Sequence, residues 1–371
     1  MEALKTKFEK SGGSWKDYTI ESIFDIKDTK KKINANTIQF GGKHPYVVRT
    51  SRNNGIRGYI DADEKGLNEA NTLSFGQDTA TVFYQNRPYF TGDKIKIFSC
   101  KYPINERQYL FLVSHIRKAF STFAWGQTSF DEKVLKGVKL RLPALMGQPA
   151  FDYMEQYITI LEQERLEIIK RYLADNGLTD CELTEKEKDS LTSPIGGGKH
   201  LISSLFDKVK ASYKGKGRRQ DNVQKQKNAE FSIPLVCAKR DDNGIMYYGR
   251  PTEFTSHGHV LSVIYNGAVA AGLVYAQKEP VGVFTDSYLI DFKDGQERNF
   301  NVYLYMKTCI ETVVYPKFSR ERKATWDRIK NEHVFLPTTK DGNIDFQYME
   351  TYIRALMKIS AKKIQQWLVT Y

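Results

Sequence analysis

Apolar side chains recur at helical spacing in two long stretches, one near the middle of the chain and one at its C-terminus. Both stretches begin with nearly the same residues, FDYMEQYI at 151–158 and FQYMETYI at 346–353. Each continues with apolar residues at steps of three and four, within runs that lack glycine and proline, Asp152–Asn176 and Asn343–Tyr371. This pattern predicts two long amphipathic helices, at 151–178 and 343–371. Their near-identical starts predict that the chain contains two related halves.

Strand-like segments fill the chain before each helix. Clusters of β-branched and aromatic residues between turn signals predict strands at 20–26, 46–48, 79–84, 94–98 and 138–142, with a helix at 107–123. The second half repeats such features in the same order, at offsets that drift only from 182 residues (Phe24 to Phe206) to 195 (Phe151 to Phe346). A colinear series of this kind predicts a tandem duplication.

The predicted organisation is therefore α+β, with a pseudo-twofold repeat. One mainly β domain spans 1–150 and the other 201–342, and a polar, acidic linker at 179–200 separates the central helix from the second domain. Residues 1–14 are expected to be a mobile, basic lead-in. The lysine-rich segment 208–227 is either a solvated insertion or an arm that contacts phosphate.

Bulk composition narrows the class of protein. A length of 371 residues allows two cores. A net charge of +12 and a pI near 9.2 favour a polyanionic partner. The four cysteines are far apart, which indicates a reduced environment rather than a disulfide framework. Without an apolar leader or a run of ~18 apolar residues, a cytoplasmic protein with no membrane partner is expected.

No catalytic or metal-binding motif is evident. The stretch 196–199 has a Gly-Lys pair but lacks the earlier glycine and the following Ser or Thr of a P-loop. His257 and His259 lack a third ligand at matching spacing. The glycine-rich and Asn/Asp-Pro-Pro-aromatic motifs of amino-methyltransferases are also missing. We therefore expect a non-catalytic chain that binds no cofactor and no metal.

The predicted loops are rich in side chains that recognise or grip DNA. Arginine can pair bidentately with guanine, Asn and Gln with adenine, and lysine or serine with phosphate. The first-half candidates are Lys43, Arg49, Arg52, Asn53, Asn54, Arg57, Gln77, Thr79, Tyr84 and Arg87. The second-half candidates are Lys239, Arg240, Asn243, Tyr247, Tyr248, Arg250, Asn266, Ala268, Lys317, Ser319, Arg320 and Arg322. We expect a minority of them to contact DNA, the rest being ordinary surface residues.

These repeated stretches resemble the specificity (S) subunits of type I and related bifunctional type II restriction–modification systems. In the second half the resemblance rests on 243–245, 261–269, 284–286, 336–337 and 341–350, and in the first on 54–56, 72–76, 125–126, 142–143 and 151–158. It implies two target-recognition domains joined by two long antiparallel helices, each domain recognising one half of a bipartite site in double-stranded DNA. It also implies that the turn Asn266-Gly267-Ala268-Val269 approaches DNA; the first half departs from that turn, with Phe75-Gly76-Gln77-Asp78-Thr79.

The resemblance further implies partners that bind along the helices. They are DNA methyltransferase (M) subunits, which carry S-adenosylmethionine, with or without a restriction (R) subunit or a fused R-M polypeptide. The predicted docking residues are Met154, Tyr157, Ile158, Leu161, Met349, Tyr352, Ile353 and Leu356. A helix of about 24 residues is about 36 Å long, close to one turn of B-DNA, so the helices are also predicted to space the domains. The alternatives are that the stripes only bury each other, and that the chain is a self-contained nuclease or a defence adaptor.

Overall fold

The computed structural model describes residues 1–121, 131–193 and 196–369. Two compact units are present, Met1–Tyr172 and Leu173–Tyr371. The division falls inside the central helix, near its C-terminal end, whereas the sequence patterns placed this helix and a linker between the domains. Three predicted features reach outside the described residues. They are the resemblance at 125–126, the end of the predicted helix 107–123, and residues 370–371 of the predicted C-terminal helix.

The first unit is built mainly from antiparallel strands with one helix packed on them. Its strands are β1 Ser14–Thr19, β2 Phe24–Asp28, β3 His44–Val47, β4 Ile56–Ile60, β5 Thr72–Gly76, β6 Thr81–Gln85, β7 Phe90–Thr91, β8 Ile95–Cys100, β9 Lys139–Leu145 and β10 Gln148–Pro149. Its helices are α1 Glu2–Lys10, α2 Ile20–Ile23, α3 Glu106–Phe120, α4 Glu132–Gly137 and α5 Phe151–Asp175, whose last residues belong to the second unit. The sheets have the orders β2-β8-β5-β6, β4-β3-β7 and β1-β9-β10.

The core of the first unit lies between the four-stranded sheet and α3. Phe75 of β5 stacks on Phe98 of β8 with ring centroids 5.3 Å apart, and both are fully buried. A capping box formed by Asn105 and Gln108 begins α3 and satisfies its first free amide groups. Met154 of α5 is fully buried in the same cluster. The long helix is therefore part of the core of this unit.

The N-terminal segment is not a mobile lead-in, as predicted, but forms α1. Leu4 and Phe8 are buried against Tyr153 of α5, and the rings of Phe8 and Tyr153 lie 4.2 Å apart. The turn that follows brings Gly13 so close to the Phe8 ring that a Cβ there would lie 2.6 Å from it. Only two apolar residues in a lysine-rich sequence make this contact, so the composition concealed the helix.

The second unit repeats the first with other residues. Its strands are β11 Gly197–Leu201, β12 Phe206–Val209, β13 Val223–Gln224, β14 Ile233–Val236, β15 Ile245–Gly249, β16 Val260–Ile264, β17 Val274–Gln277, β18 Gly282–Val283, β19 Ser287–Phe292 and β20 His333–Pro337. Its helices are α6 Glu185–Thr192, α7 Ile202–Leu205, α8 Phe300–Val314, α9 Trp326–Ile329 and α10 Phe346–Val369. Met306 and Ile310 of α8 are fully buried in its core, together with Met349 of α10.

Matching strand orders confirm the predicted duplication. The sheet β12-β19-β16-β17 repeats the order β2-β8-β5-β6, and β15-β14-β18 repeats β4-β3-β7. In both units the parallel pair is the same, β3 with β7 and β14 with β18. The fold class is α+β, as predicted.

The segment 179–200, predicted as a linker, contains α6 and β11. A capping box formed by Thr184 and Glu187 begins α6, and this helix packs on α10. β11 pairs with β20 from Gly197↔Pro337 to Leu201↔His333. The polar composition suggested a loop, but polar groups in and just before this segment form hydrogen bonds with α10. The Lys358 ammonium donates to the Glu187 carboxylate, and the Gln365 amide donates to the carbonyls of Leu178 and Thr179.

Candidate nucleic-acid interface

A rigid hairpin tip connects β3 and β4 in the first unit. Asn53 and Asn54 have φ values of 48° and 53°, in the left-handed region that Asn tolerates better than most residues. The Asn54 amide donates to the carbonyl of Tyr84 (2.8 Å), and Gln85 donates to the carbonyl of Asn54 (3.0 Å). The two asparagines are therefore used to fix the turn. Arg52, beside them, is exposed.

A second turn, 77–80 between β5 and β6, lies beside this hairpin. Its Asp78 carboxylate pairs with the Arg49 guanidinium and with the ammonium of Lys94, at 2.9 Å for the latter. Arg49, Arg57 and Thr79 line one open cleft of about 700 Å³. Three predicted DNA-binding residues from two different turns are thus brought together.

The second unit carries the equivalent hairpin between β14 and β15. Asn243 has a φ of 52° and Gly244 one of 76°, matching Asn54 and Gly55. Gln277 donates to the Asn243 carbonyl (2.9 Å), as Gln85 does to Asn54. Lys239 pairs with Asp242 at this tip, and Arg240 is exposed beside it.

The loop 265–273, between β16 and β17, contains the Asn-Gly-Ala-Val turn. The Asn266 amide donates to the Asp286 carboxylate (2.8 Å), while Ala268 and Val269 are exposed. The Tyr315 hydroxyl donates to the Val269 carbonyl (3.4 Å), and the amide of Ala324 donates to the Tyr265 carbonyl (2.9 Å). The segment 315–324 therefore packs against this loop and places Lys317, Ser319, Arg320 and Arg322 near it.

Several predicted DNA-binding residues have other roles or positions. Tyr84 is 8% exposed, stacks on Tyr109 at 4.8 Å and donates to Asn71, so it is a core residue. Tyr247 packs against Phe284 at 4.8 Å, which likewise turns its ring into the unit. These two residues illustrate a general ambiguity, since aromatic side chains in strands serve cores as well as interfaces.

Three further candidates are placed away from the hairpin tips or are already paired. Lys43 precedes β3 and Arg87 follows β6, so both lie at the opposite ends of these strands from the turns. Arg250 donates to Glu230 (2.7 Å) and lies over the Phe231 ring at 4.2 Å. Arg250 is therefore already paired within its own unit, and a base contact by this residue stays a prediction. Gln77 and Tyr248 are half-buried, at the β5–β6 turn and within β15.

The predicted docking stripe is largely internal to each unit. Met154, Ile158 and Met349 are buried in the cores of their own units. Tyr157 packs edge-on against Phe111 (5.5 Å), and Tyr352 against Tyr305 (5.9 Å). Leu161 and Ile353 are half-buried, and Leu356 is 39% exposed. The buried members are unavailable to a partner, because helix stripes at this spacing were already needed by the domain cores.

Among the described residues there is no cluster of three or more His, Cys, Asp or Glu suited to a metal ion. No helix in the described part of the chain is long and apolar enough to cross a membrane. Burial raises the pKa of Cys100 and of Cys309 to about 11, so both thiols are protonated near neutral pH.

Comparison with known proteins assigns this architecture. The family model for the type I restriction modification DNA specificity domain matches residues 13–171, almost the whole first unit. The chain is thus similar to the specificity subunits of restriction–modification systems. It is 26% identical over 340 residues to the type II restriction enzyme BgcI specificity subunit S.BcgI of Heyndrickxia coagulans, covering 91% of this chain and 92% of that one.

A solved structure of a specificity subunit has a similar fold. A crystal structure of the type I restriction-modification S subunit from M. genitalium superposes with a TM-score of 0.57 at 16% identity, covering 96% of this chain and 92% of that one. The similarity to a DNA specificity domain confirms the prediction of DNA sequence recognition. Because the matched proteins are specificity subunits, the prediction of a non-catalytic chain is also confirmed.

Part of the interface was missed because it depends on tertiary pairing. Asp78, Lys94 and Asp286 were not predicted as site residues, yet they hold Arg49 and Asn266 in place. Lys94 and Asp286 each have a positive φ immediately before β8 or β19. A charged residue repeated at the same point of both halves was the only signal available in the sequence.

Proposed function

We propose that this chain is a non-catalytic, cytoplasmic subunit that recognises a bipartite site in double-stranded DNA, one half-site through each unit. One observation carries this proposal: both units present the same pair of loops, a rigid Asn-Gly hairpin and the β5–β6 or β16–β17 turn. The side chains around each pair are basic and exposed, including Arg52 in the first unit and Arg320 in the second. Duplication of such a surface favours two successive contacts with one duplex.

We also propose that the chain recruits DNA methyltransferase subunits, with or without an endonuclease subunit or a fused R-M polypeptide. The outer faces of the long helices retain exposed apolar residues: Ile168 (54%) on α5, and Leu356 (39%), Ile359 (36%) and Ile364 (38%) on α10. Apolar residues at helical spacing on an outer face favour a protein partner. S-adenosylmethionine is assigned to that partner, since the chain carries none of the motifs that bind it.

The test is to express the chain with a methyltransferase from the same operon in a host without DNA methylation, and to map modified bases. A motif of two defined halves with an undefined spacer is expected. Arg52→Ala and Arg320→Ala should each cost about 1–3 kcal/mol at a base position, and they should relax different halves. A motif without two parts, or relaxation of the same half by both variants, would contradict the proposal.

A further inference from the structure

A lysine-rich segment of the second unit, here called the basic arm (residues 210–230), crosses from β12 to β14. Its cationic residues are Lys210, Lys214, Lys216, Arg218, Arg219, Lys225 and Lys227, against the acidic residues Asp221 and Glu230. Part of it is regular, since Val223 and Gln224 form β13 and pair with β15. The arm thus supplies the edge strand of the sheet β13-β15-β14-β18.

Internal hydrogen bonds hold the bend of the arm. The Asn222 amide donates to the Tyr213 hydroxyl (2.8 Å) and to the carbonyls of Lys216 and Arg218 (both 3.1 Å). The Tyr213 ring crosses this bend, so that a Cβ on Gly215 would lie 2.5 Å from its hydroxyl. These contacts favour an ordered arm over a solvated insertion.

Arg250 fastens the arm to the body of the unit. Its guanidinium donates to the Asn222 side-chain oxygen (3.1 Å) and to Glu230 (2.7 Å), at two points of the arm, while covering the Phe231 ring. The hydrogen bond from Arg250 to Glu230 raises the pKa of the guanidinium and keeps it charged. Arg250 is therefore a positioning residue for the arm.

Five ammonium groups on the arm are left unpaired. Lys214, Lys216, Lys225 and Lys227, like Lys210, are exposed and have no carboxylate within ion-pair distance in the described part of the chain. The equivalent segment of the first unit, 29–43, has four lysines and no arginine, and two of these lysines are paired: Lys30 with Glu69 and Lys32 with Asp93, both at 3.9 Å. Unpaired cations on a backbone held by hydrogen bonds are suited to contact with the phosphates of a duplex.

We propose that the basic arm grips the phosphate backbone of duplex DNA beside the half-site recognised by the second unit. This inference rests on the proposed function and adds to it a phosphate-binding surface in the second unit, which carries more cations than the equivalent segment of the first. The arm would contribute affinity without base preference, since phosphate contacts carry no direct sequence information.

The test compares binding to one mixed-sequence DNA duplex over a series of salt concentrations, using the full chain. The arm variant replaces four lysines: K214Q, K216Q, K225Q and K227Q. A control variant removes the same charge elsewhere on the exposed surface: K5Q, K10Q, K186Q and K340Q. Each lost phosphate contact lowers the slope of log affinity against log salt by about 0.9, so the arm variant should lose up to about 3.6 and the control much less.

Arg250→Ala supplies an independent check. It should weaken binding to all duplexes alike and lower the salt slope, as the arm variant does, with Arg250→Lys restoring only part of the loss. An arm variant with the slope of the wild type would overturn the inference, as would one that instead loses binding to the methyltransferase. If the slope falls but methylation mapping with the partner methyltransferase shows no two-part motif, the proposed function fails while the arm stands.

Discussion

A buried ion pair between α6 and α10 provides a quantitative test of the structure. The Lys358 ammonium donates to the Glu187 carboxylate (2.8 Å) and to the Glu182 carbonyl (2.9 Å). The side chains of Lys358 and Glu187 are only 8% and 5% exposed. Lys358→Met keeps most of the hydrocarbon volume but leaves the Glu187 carboxylate buried without its main partner.

The expected cost can be estimated from these contacts. Removing one partner of a buried pair destabilises a protein by about 3–5 kcal/mol. Two groups partly compensate here, the Thr184 backbone amide at 2.8 Å and the Arg354 guanidinium at 3.6 Å. We therefore expect a loss near the lower limit, about 3 kcal/mol. For a unit of this size that corresponds to a fall in Tm of about 6–12 °C.

Calorimetry of the full chain measures this change. Lys188→Met is the matched control, because Lys188 lies on α6, the helix that carries Glu187, and pairs there with the exposed Glu185. Loss of this exposed pair should cost about 0–1 kcal/mol. The double variant Lys358→Met/Glu187→Gln should be more stable than Lys358→Met alone, since no uncompensated charge remains. Equal losses in Lys358→Met and Lys188→Met, or additive losses in the double variant, would refute the argument.

Three further outcomes are expected. Burial opposes the charge of the Glu187 carboxylate, but hydrogen bonds from its neighbours outweigh burial and lower its pKa. The pair with Lys358 therefore stabilises the fold above the ordinary glutamate range, and this stability is lost as the pH falls through the lowered pKa. Glu187→Gln should flatten the acid limb of an unfolding curve, and an unchanged limb would contradict this. Asp78→Asn frees two cations, Arg49 and Lys94, beside the cleft of the first unit. Each new phosphate contact should steepen the salt dependence of non-specific DNA binding by about 0.9. Fluorescence anisotropy measures this slope with Asp17→Asn as the control, and equal slopes would count against the expectation. Tyr84→Phe loses its hydrogen bond to Asn71 and should cost about 1 kcal/mol in urea unfolding without altering DNA affinity, whereas a loss confined to one base position would restore its predicted DNA role.

The repeat and the long helices were predictable because they depend on periodicity alone. The strands β5 and β16 were harder, since every residue in both is buried and no alternation of polar and apolar positions marks them. The short helices α1 and α6 were missed for the opposite reason, because their sequences are mostly polar and their few inward contacts are tertiary. The same limit applied to the interface, where Asp78 was invisible until its contact with Arg49 was known.

The two units place different side-chain chemistry at the same point of one repeated scaffold. Asp78 and Asn266 both stand two residues beyond the ends of β5 and β16, while Lys94 and Asp286 both stand just before β8 and β19. In the first unit this pair is a carboxylate facing an ammonium, and in the second it is an amide facing a carboxylate. The backbone is conserved at this position while the chemistry is exchanged. Because the pair orients the neighbouring turn, exchanging Asp78 for Asn and Lys94 for Asp together should alter recognition of the first half-site only, and an unchanged two-part methylation motif would show that this pair is merely structural.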